Sequence, residues 1–281
     1  MDEPGTRRIS IVTILGSRRK NGNTELAVTE LEDRLRNHLL DLGVDPEKNL
    51  AIRRLRVSDL DLGECIGCRA CFDKGEDRCP AAGDAVAIHE LLKEADCAIL
   101  TSPVYVNDVS GALKTLIDRL AFVCHRPAYF ETPFYLLSTT AGSPTRHAIR
   151  TMQSAAISWG APIVGSVGIR TGARSTREEI HDDHGRRVDR EARRLARYII
   201  ERRHRTPSFI SLLVFAIQQS SWRRELTPTG AADNSIHPDQ AYWDGNGWFA
   251  GGCTFFFPHG AGPVKTRLAR LVGKSIARVF G

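Results

Sequence analysis

Short apolar runs rich in β-branched residues alternate with longer stretches of helical periodicity through the first two-thirds of the chain, the pattern of βαβ units around a parallel sheet. ISIVTIL, residues 9–15, predicts a buried strand. From Thr24 onward Val28, Leu31, Leu35, Leu39 and Leu42 recur at helical spacing, and Gly43 supplies a stop. NLAIRRLRV, residues 49–57, alternates like a partly exposed strand at a sheet edge. A helix over about residues 84–95 precedes a third strand in DCAILTSPVY, and GALKTLIDRLAFV predicts the next helix. PFYLLSTT and APIVGSVGI add two strands around a helix over residues 143–159. A charged helix over residues 175–203 turns Ile180, Val188, Leu195 and Ile199 inward. Five strands so connected imply an α/β doubly wound sheet of order 2-1-3-4-5, with ligands at the carboxyl ends of the strands.

The pattern changes near residue 205. TPSFISLLVFAIQQSSWRR predicts one amphipathic helix, the segment from Gly230 through YWDGNGWF to Gly252 a loop-like aromatic stretch, and VKTRLARLVGKSIARVF a second amphipathic helix. We therefore expect an α/β domain over residues 1–204, with a cysteine-rich loop at 64–80, and an extension over 205–281 whose apolar faces need a surface to cover. Aromatic and apolar surface in that extension predicts self-association, as a dimer or a pair of dimers. The last helix carries Lys265, Arg267, Arg270, Lys274 and Arg278 with no acid, a pattern suited to a core or dimer face and also to anionic lipid.

Composition excludes several classes. With 42% hydrophobic and 26% charged residues the chain is neither disordered nor membrane-embedded, and its longest apolar run, FISLLVFAI, is too short for a spanning helix. A formal charge of +6 favours acidic partners, but no nucleic-acid-binding pattern accompanies it. The opening MDEPGTRRISIVTIL lacks the features of a signal peptide, which predicts a cytoplasmic protein. Clustered cysteines in a reducing compartment bind metal or do chemistry more often than they form disulfides.

Between the first strand and its helix lies GSRRKNGNT, residues 16–24. Glycines and small polar residues there let backbone N–H groups converge on an anion at the positive end of a helix, a phosphate cradle that matches neither a Walker A loop nor G-x-G-x-x-G. This loop resembles the GSxRxxGNT phosphate loop of the NAD(P)H-dependent FMN reductase branch of the flavodoxin-like superfamily. SPVYVNDVSGALKTLIDR resembles that branch's second flavin loop and its helix, and STTAGS follows the fourth strand. The resemblance covers about residues 8–200. It implies FMN as cofactor, with Ser17, Arg19, Asn23 and Thr24 on the phosphate, Pro103, Val104, Tyr105, Val106 and Asn107 along the ribityl chain and ring, and Thr140, Ala141 and Gly142 bordering the ring from the other side. Arg18 stands where many relatives carry proline.

ECIGCRACFDKGEDRCP, residues 64–80, holds four of the seven cysteines, at gaps of two, two and seven. Structural zinc sites show two separated Cys-x-x-Cys pairs, whereas three cysteines at intervals of three followed by Cys-Pro echo ferredoxin spacing. The gap of seven resembles the motif of iron-sulfur flavoproteins in the same branch. That resemblance implies Cys65, Cys68, Cys71 and Cys79 as ligands of a 4Fe-4S cluster; a zinc or cluster-free thiol loop is the alternative. Gly67 and Gly75 ease the tight turns. Cys97, Cys124 and Cys253 read as small hydrophobes, and His181 and His184 as solvated. The function so implied is an oxidoreductase taking electrons from an acidic carrier such as ferredoxin through the cluster to FMN and on to an acceptor. A cluster-free NAD(P)H-dependent FMN or quinone reductase is the alternative, and a flavodoxin-like carrier the third reading.

Overall fold

A computed structural model describes residues 7–81, 83–201, 206–225 and 237–280. The expected boundary at 204/205, the acidic opening residues 1–6 and the start of the aromatic segment at 230–236 lie outside the described residues. Five parallel strands, β1 (Ile9–Leu15), β2 (Leu50–Arg56), β3 (Cys97–Pro103), β4 (Phe134–Thr140) and β5 (Ile163–Arg170), pair in the order β2-β1-β3-β4-β5. β1, β3 and β4 are covered on both faces and so read as continuous apolar runs, while β2 alternates because it is an edge.

Helix α1 (Asn23–Asp41) ends at the expected stop, where Gly43 takes a φ of 85°. It lies with α5 (Arg177–Glu201) on one face of the sheet, packing Leu31, Leu35, Val188 and Leu195 against Ile11, Ile99 and Leu137. α2 (Ala85–Glu94), α3 (Gly111–Arg119) and α4 (Arg146–Ser158) cover the other face, where Ile88, Leu113 and Met152 meet Val12, Leu100 and Leu136. α4 starts later than its periodicity predicts because Pro144 disfavours helical geometry at Ser143.

The extension corrects the sequence reading at two points. Pro238–Gly245, expected as loop, forms α7, which has Pro238 at its first position and His237 as its cap, accepting from the Asp239 N–H at 3.2 Å. α6 (Phe209–Glu225) is apolar around most of its girth, because it is sandwiched between α4 and α8 (Pro263–Phe280). Leu212, Phe215, Trp222, Trp243, Trp248, Phe255 and Ala269 form a third apolar cluster. The aromatic segment is thus spent on the chain's own packing: Trp243 is fully buried and donates Nε1–H to the His125 carbonyl at 2.8 Å, and Tyr242 donates to the Pro127 carbonyl at 2.7 Å.

Candidate functional site

Three loops meet at the carboxyl ends of β1, β3 and β4. After β1 the chain passes so close to β3 that a Cβ on Gly16 would lie 2.5 Å from the Thr101 carbonyl, which leaves glycine as the residue that fits. α1 starts at Gly22 with no side-chain cap, so its first N–H groups face outward at the positive end of the helix. Ser17 is buried and accepts from the Arg19 N–H at 3.2 Å, while Arg18, Arg19 and Lys20 are exposed. The Asn23 amide is committed to Thr171 at 2.7 Å, to the Gly172 carbonyl and to the Ser175 N–H. Thr24 shares a 2.7 Å hydrogen bond with Thr139. For both residues the backbone N–H, rather than the side chain, is what the helix start presents.

The loop after β3 carries a backbone distortion. Tyr105 and Asp108 exchange hydrogen bonds of 2.9 and 3.1 Å around a two-residue turn, which forces Val106 to a φ of 48° and Asn107 to 67°. A β-branched residue in left-handed geometry is an outlier, and Val106 is 99% exposed. Val104 is anchored to β4 through the Thr139 carbonyl, and Tyr105 is half exposed. Across from this loop Thr140 is buried and accepts from the Gly142 N–H at 3.2 Å, while Ala141 and Gly142 are exposed. Residues expected at three separate strand ends therefore surround one open surface. Arg56, the last residue of β2, was not expected there: it donates to the Ser17 and Arg19 carbonyls at 2.9 and 3.0 Å and pairs with Glu25 at 2.7 Å, bracing the loop after β1.

The cysteine loop follows β2. Gly67 and Gly75 take the positive φ values expected of them, 67° and 109°, and Arg69 joins them at 64°. Cys65 and Cys68 are exposed, Cys71 and Cys79 half-buried, and all four border one cavity of about 60 Å³ with Phe72, Arg119 and Ala121. Among the described residues no three histidine, cysteine or acidic side chains stand in a metal-holding arrangement. The donor set nonetheless fits a soft, thiolate-bound centre: four sulfurs line the cavity and no carboxylate does. Burial, then the neighbouring Cys79 and Cys65 sulfurs, push the Cys71 thiol up. Arg119 donates to the Cys79 sulfur at 3.0 Å. α3 runs nine residues from the loop after β3 to Arg119, so about 13 Å of helix separates that loop from the cysteine cavity.

Groups from far along the chain hold this loop, and sequence reading found none of them. Arg126 donates to the Cys71 carbonyl at 2.6 Å and to Glu76 at 2.9 Å, and pairs with Asp239, which is fully buried on α7. His125 lies 2.9 Å from Asp239 and stacks on Phe72 with ring centroids 4.2 Å apart. Their signal in the sequence is only a buried-type acid, arginine and histidine at no recognisable spacing.

A cavity of about 390 Å³ lies at the opposite end of the sheet among Lys93, Asp96, Glu131, Pro133 and Tyr198, beside the starts of β3 and β4. Doubly wound sheets bind ligands at the carboxyl ends, not at this one. A family model for NADPH-dependent FMN reductases matches residues 9–173, which takes in every strand and all three carboxyl-end loops. The chain belongs to that family. The loops after β1, β3 and β4 all lie within the family's segment of the chain.

Other comparisons refine the placement. An iron-sulfur flavoprotein of Methanocaldococcus jannaschii is 39% identical over 111 residues, 40% of this chain and 51% of that protein. One from Archaeoglobus fulgidus is 36% identical over 116 residues, 41% and 47% of the two chains. The chain spans about half the length of these curated relatives. Among solved structures, an oxidoreductase from Corynebacterium diphtheriae superposes with a TM-score of 0.52 at 17% identity, covering 70% of this chain and 99% of that one. RosB with its bound intermediate gives 0.52 at 14% identity, covering 82% and 93%. These two likenesses concern the fold.

Proposed function

We propose that this FMN reductase family member passes electrons between a 4Fe-4S cluster held by Cys65, Cys68, Cys71 and Cys79, an FMN at the strand ends, and an external acceptor. The observation that carries the reading is the convergence of all four cysteines on one carboxylate-free cavity a single helix away from the flavin loops. Similarity to archaeal iron-sulfur flavoproteins supports it. A small acidic electron carrier suits the chain's charge of +6. In this reading residues 1–204 form the redox domain, 205–281 brace it, and the reducing cytoplasm is where unpaired thiols of this number persist.

When bound, the flavin supplies hydride and single-electron chemistry and the cluster single-electron chemistry. The protein's part is binding and electrostatics. N–H groups of Asn23 and Thr24, with Ser17 and Arg19, bind the phosphate at the start of α1, and Arg56 holds that loop in shape. Pro103 to Asn107 and Thr140 to Gly142 orient the ring from its two sides. The strained Val106–Asn107 turn lies in the loop that would border the ring. Arg119 and Arg126 place positive charge beside Cys79 and Cys71, suited to a group of net negative charge that the four cysteines would hold.

A second reading, direct hydride transfer from NAD(P)H to FMN, is favoured by the family description and by the exposure of Tyr105, Val106, Ala141 and Gly142, which leaves one side of the site open. Anaerobic purification followed by iron, acid-labile sulfide and flavin assays separates the two. About four irons and four sulfides per chain are expected; flavin without iron or sulfide rejects the cluster and leaves the hydride reading. Apoprotein should also bind FMN far more tightly than riboflavin, and equal affinities would remove the phosphate loop from the account.

A further inference from the structure

α8 packs on α6 the wrong way round for a helix of a water-surrounded protein. Its buried face is made of small residues: Thr266, Ala269, Gly273 and Ala277 occupy one arc of about 80°. At Gly273 a Cβ would meet the Ala216 Cβ at 2.7 Å and the Ile217 N at 3.1 Å, so the two helices approach as closely as backbone allows. Four large aliphatics lie opposite: Val264, Leu268, Leu271 and Val279 share the facing arc of about 80° with Ser275 and are 78%, 52%, 66% and 75% exposed, while Val272 and Ile276 are half-buried between the two arcs. Exposed Arg267, Lys274 and Arg278 run along one flank of this stripe, and no acidic residue occurs anywhere on the helix.

Position in the fold sharpens the point. α4 lies on the sheet, α6 on α4, and α8 on α6, so among the described residues α8 is the outer layer of that stack. No helix of the described residues is long and apolar enough to cross a membrane. An outward apolar stripe with a cationic flank on a helix too polar to span is the pattern that settles in the plane of a lipid surface, aliphatics in the acyl boundary and charges at the headgroups. A second copy is the competing occupant. A two-fold contact through this face would set the flanking Arg267, Lys274 and Arg278 against the same three residues of the other copy with no acid on either helix.

We propose that the outer face of α8 is a membrane-docking surface for anionic lipid. The argument stands independently of which electron-transfer reading of the flavin site is right. The test is co-sedimentation of the full chain with phosphatidylcholine vesicles and with vesicles containing about 30 mol% phosphatidylglycerol. Binding should be at least about tenfold tighter on the anionic vesicles and fall by a similar factor between about 0.1 and 0.5 M salt. Leu268→Glu with Leu271→Glu should weaken it at least about tenfold, and Lys274→Gln with Arg278→Gln by about 25-fold, at roughly fivefold per lost charge. All four substituted positions are half-exposed or more and away from the flavin loops, so flavin content and melting should match wild type. Absent binding, equal binding to both vesicle types, or a wild-type dimer that Leu268→Glu with Leu271→Glu turns into monomer would overturn the proposal, the last by showing a self-interface.

Discussion

Ties among the strand-end loops run within the sheet's own framework, however distant in sequence: Gly16 donates to Thr101, Ser110 to Gly16 across 94 residues, and Thr171 to Thr140. The cysteine loop is tied by side chains from outside the sheet. Arg119 reaches Cys79 across 40 residues, Arg126 reaches Cys71 across 55, and Asp239 meets Arg126 across 113. One site is the ordinary product of a doubly wound sheet, whose strand ends must lie side by side once the strands pair. The other is an assembly of loop, single-turn helix and α3, braced by the extension through the Asp239–Arg126 pair. Perturbations should therefore separate the two.

The largest separation is expected from Asp239→Ala. The substitution leaves Arg126 and His125 facing a buried void without their acid, and breaking a buried ion pair from one side costs about 3–5 kcal/mol. Urea unfolding should show that loss. Alkylation of Cys71 should accelerate as its loop loosens, while FMN affinity changes by less than about threefold. Unchanged Cys71 reactivity in a destabilised variant would break the comparison, because the extension would then stabilise the domain without holding the loop.

Gly16→Ala makes the reciprocal test. The added Cβ, 2.5 Å from the Thr101 carbonyl, must push the loop after β1 off β3, at about 1–3 kcal/mol. FMN should bind at least about tenfold more weakly, measured by fluorescence titration of apoprotein, while iron content and Cys71 alkylation stay as in wild type.

This division also explains what could be read from the sequence. Strand order, the edge position of β2, the stop at Gly43 and the places of the three strand-end loops follow from local periodicity and from turn residues next to strands; the flavin those loops would hold was implied by family resemblance alone. Gly67 and Gly75 were readable for the same reason, since a positive φ belongs to a single residue. Arg56, Arg119, Arg126 and Asp239 were not, because their roles depend on which distant carbonyl or sulfur they meet. α7 was missed because Asp, Asn and Gly crowd its ends; Trp243 and Gln240 are buried on it, so tertiary packing overrides weak local propensity. On α8 periodicity was right and direction was wrong, as the small residues rather than the aliphatics face inward.

A smaller effect should come from Val106→Gly. Left-handed geometry costs a side-chain-bearing residue about 1–2 kcal/mol, and glycine removes that cost while adding backbone entropy to the unfolded chain of about 1 kcal/mol. Stability should therefore stay within about 1 kcal/mol of wild type. If the strained turn orients the ring, FMN affinity falls by a few-fold even though stability does not. Unchanged affinity would show that the turn is strained for reasons unconnected with the flavin.

The smallest contrast is between thiols of the two regions. Cys97 sits fully buried in β3 and its thiol is pushed far up by burial, whereas Cys65 and Cys68 are exposed. A thiol raised above its unfolded value of about 8.5 stays protonated in the folded chain, so folding keeps a proton that the unfolded chain releases. The stability this thiol contributes is complete below about pH 8.5 and is lost as pH rises toward its folded value, at about 1.4 kcal/mol per pH unit. Metal-free protein should accordingly lose stability between pH 8.5 and 9.5, and Cys97→Ala should remove about 1 kcal/mol of that loss while lowering stability at pH 7 for the missing sulfur. With a thiol reagent at pH 8, Cys65 and Cys68 should react first, Cys71 more slowly, and Cys97 only on unfolding, read by mass spectrometry of timed digests. Protection of the first three by anaerobic reconstitution with iron and sulfide, with Cys97 unaffected, would tie the cysteine loop to the cluster; equal rates with and without reconstitution would cut that tie and leave the loop a set of ordinary surface thiols.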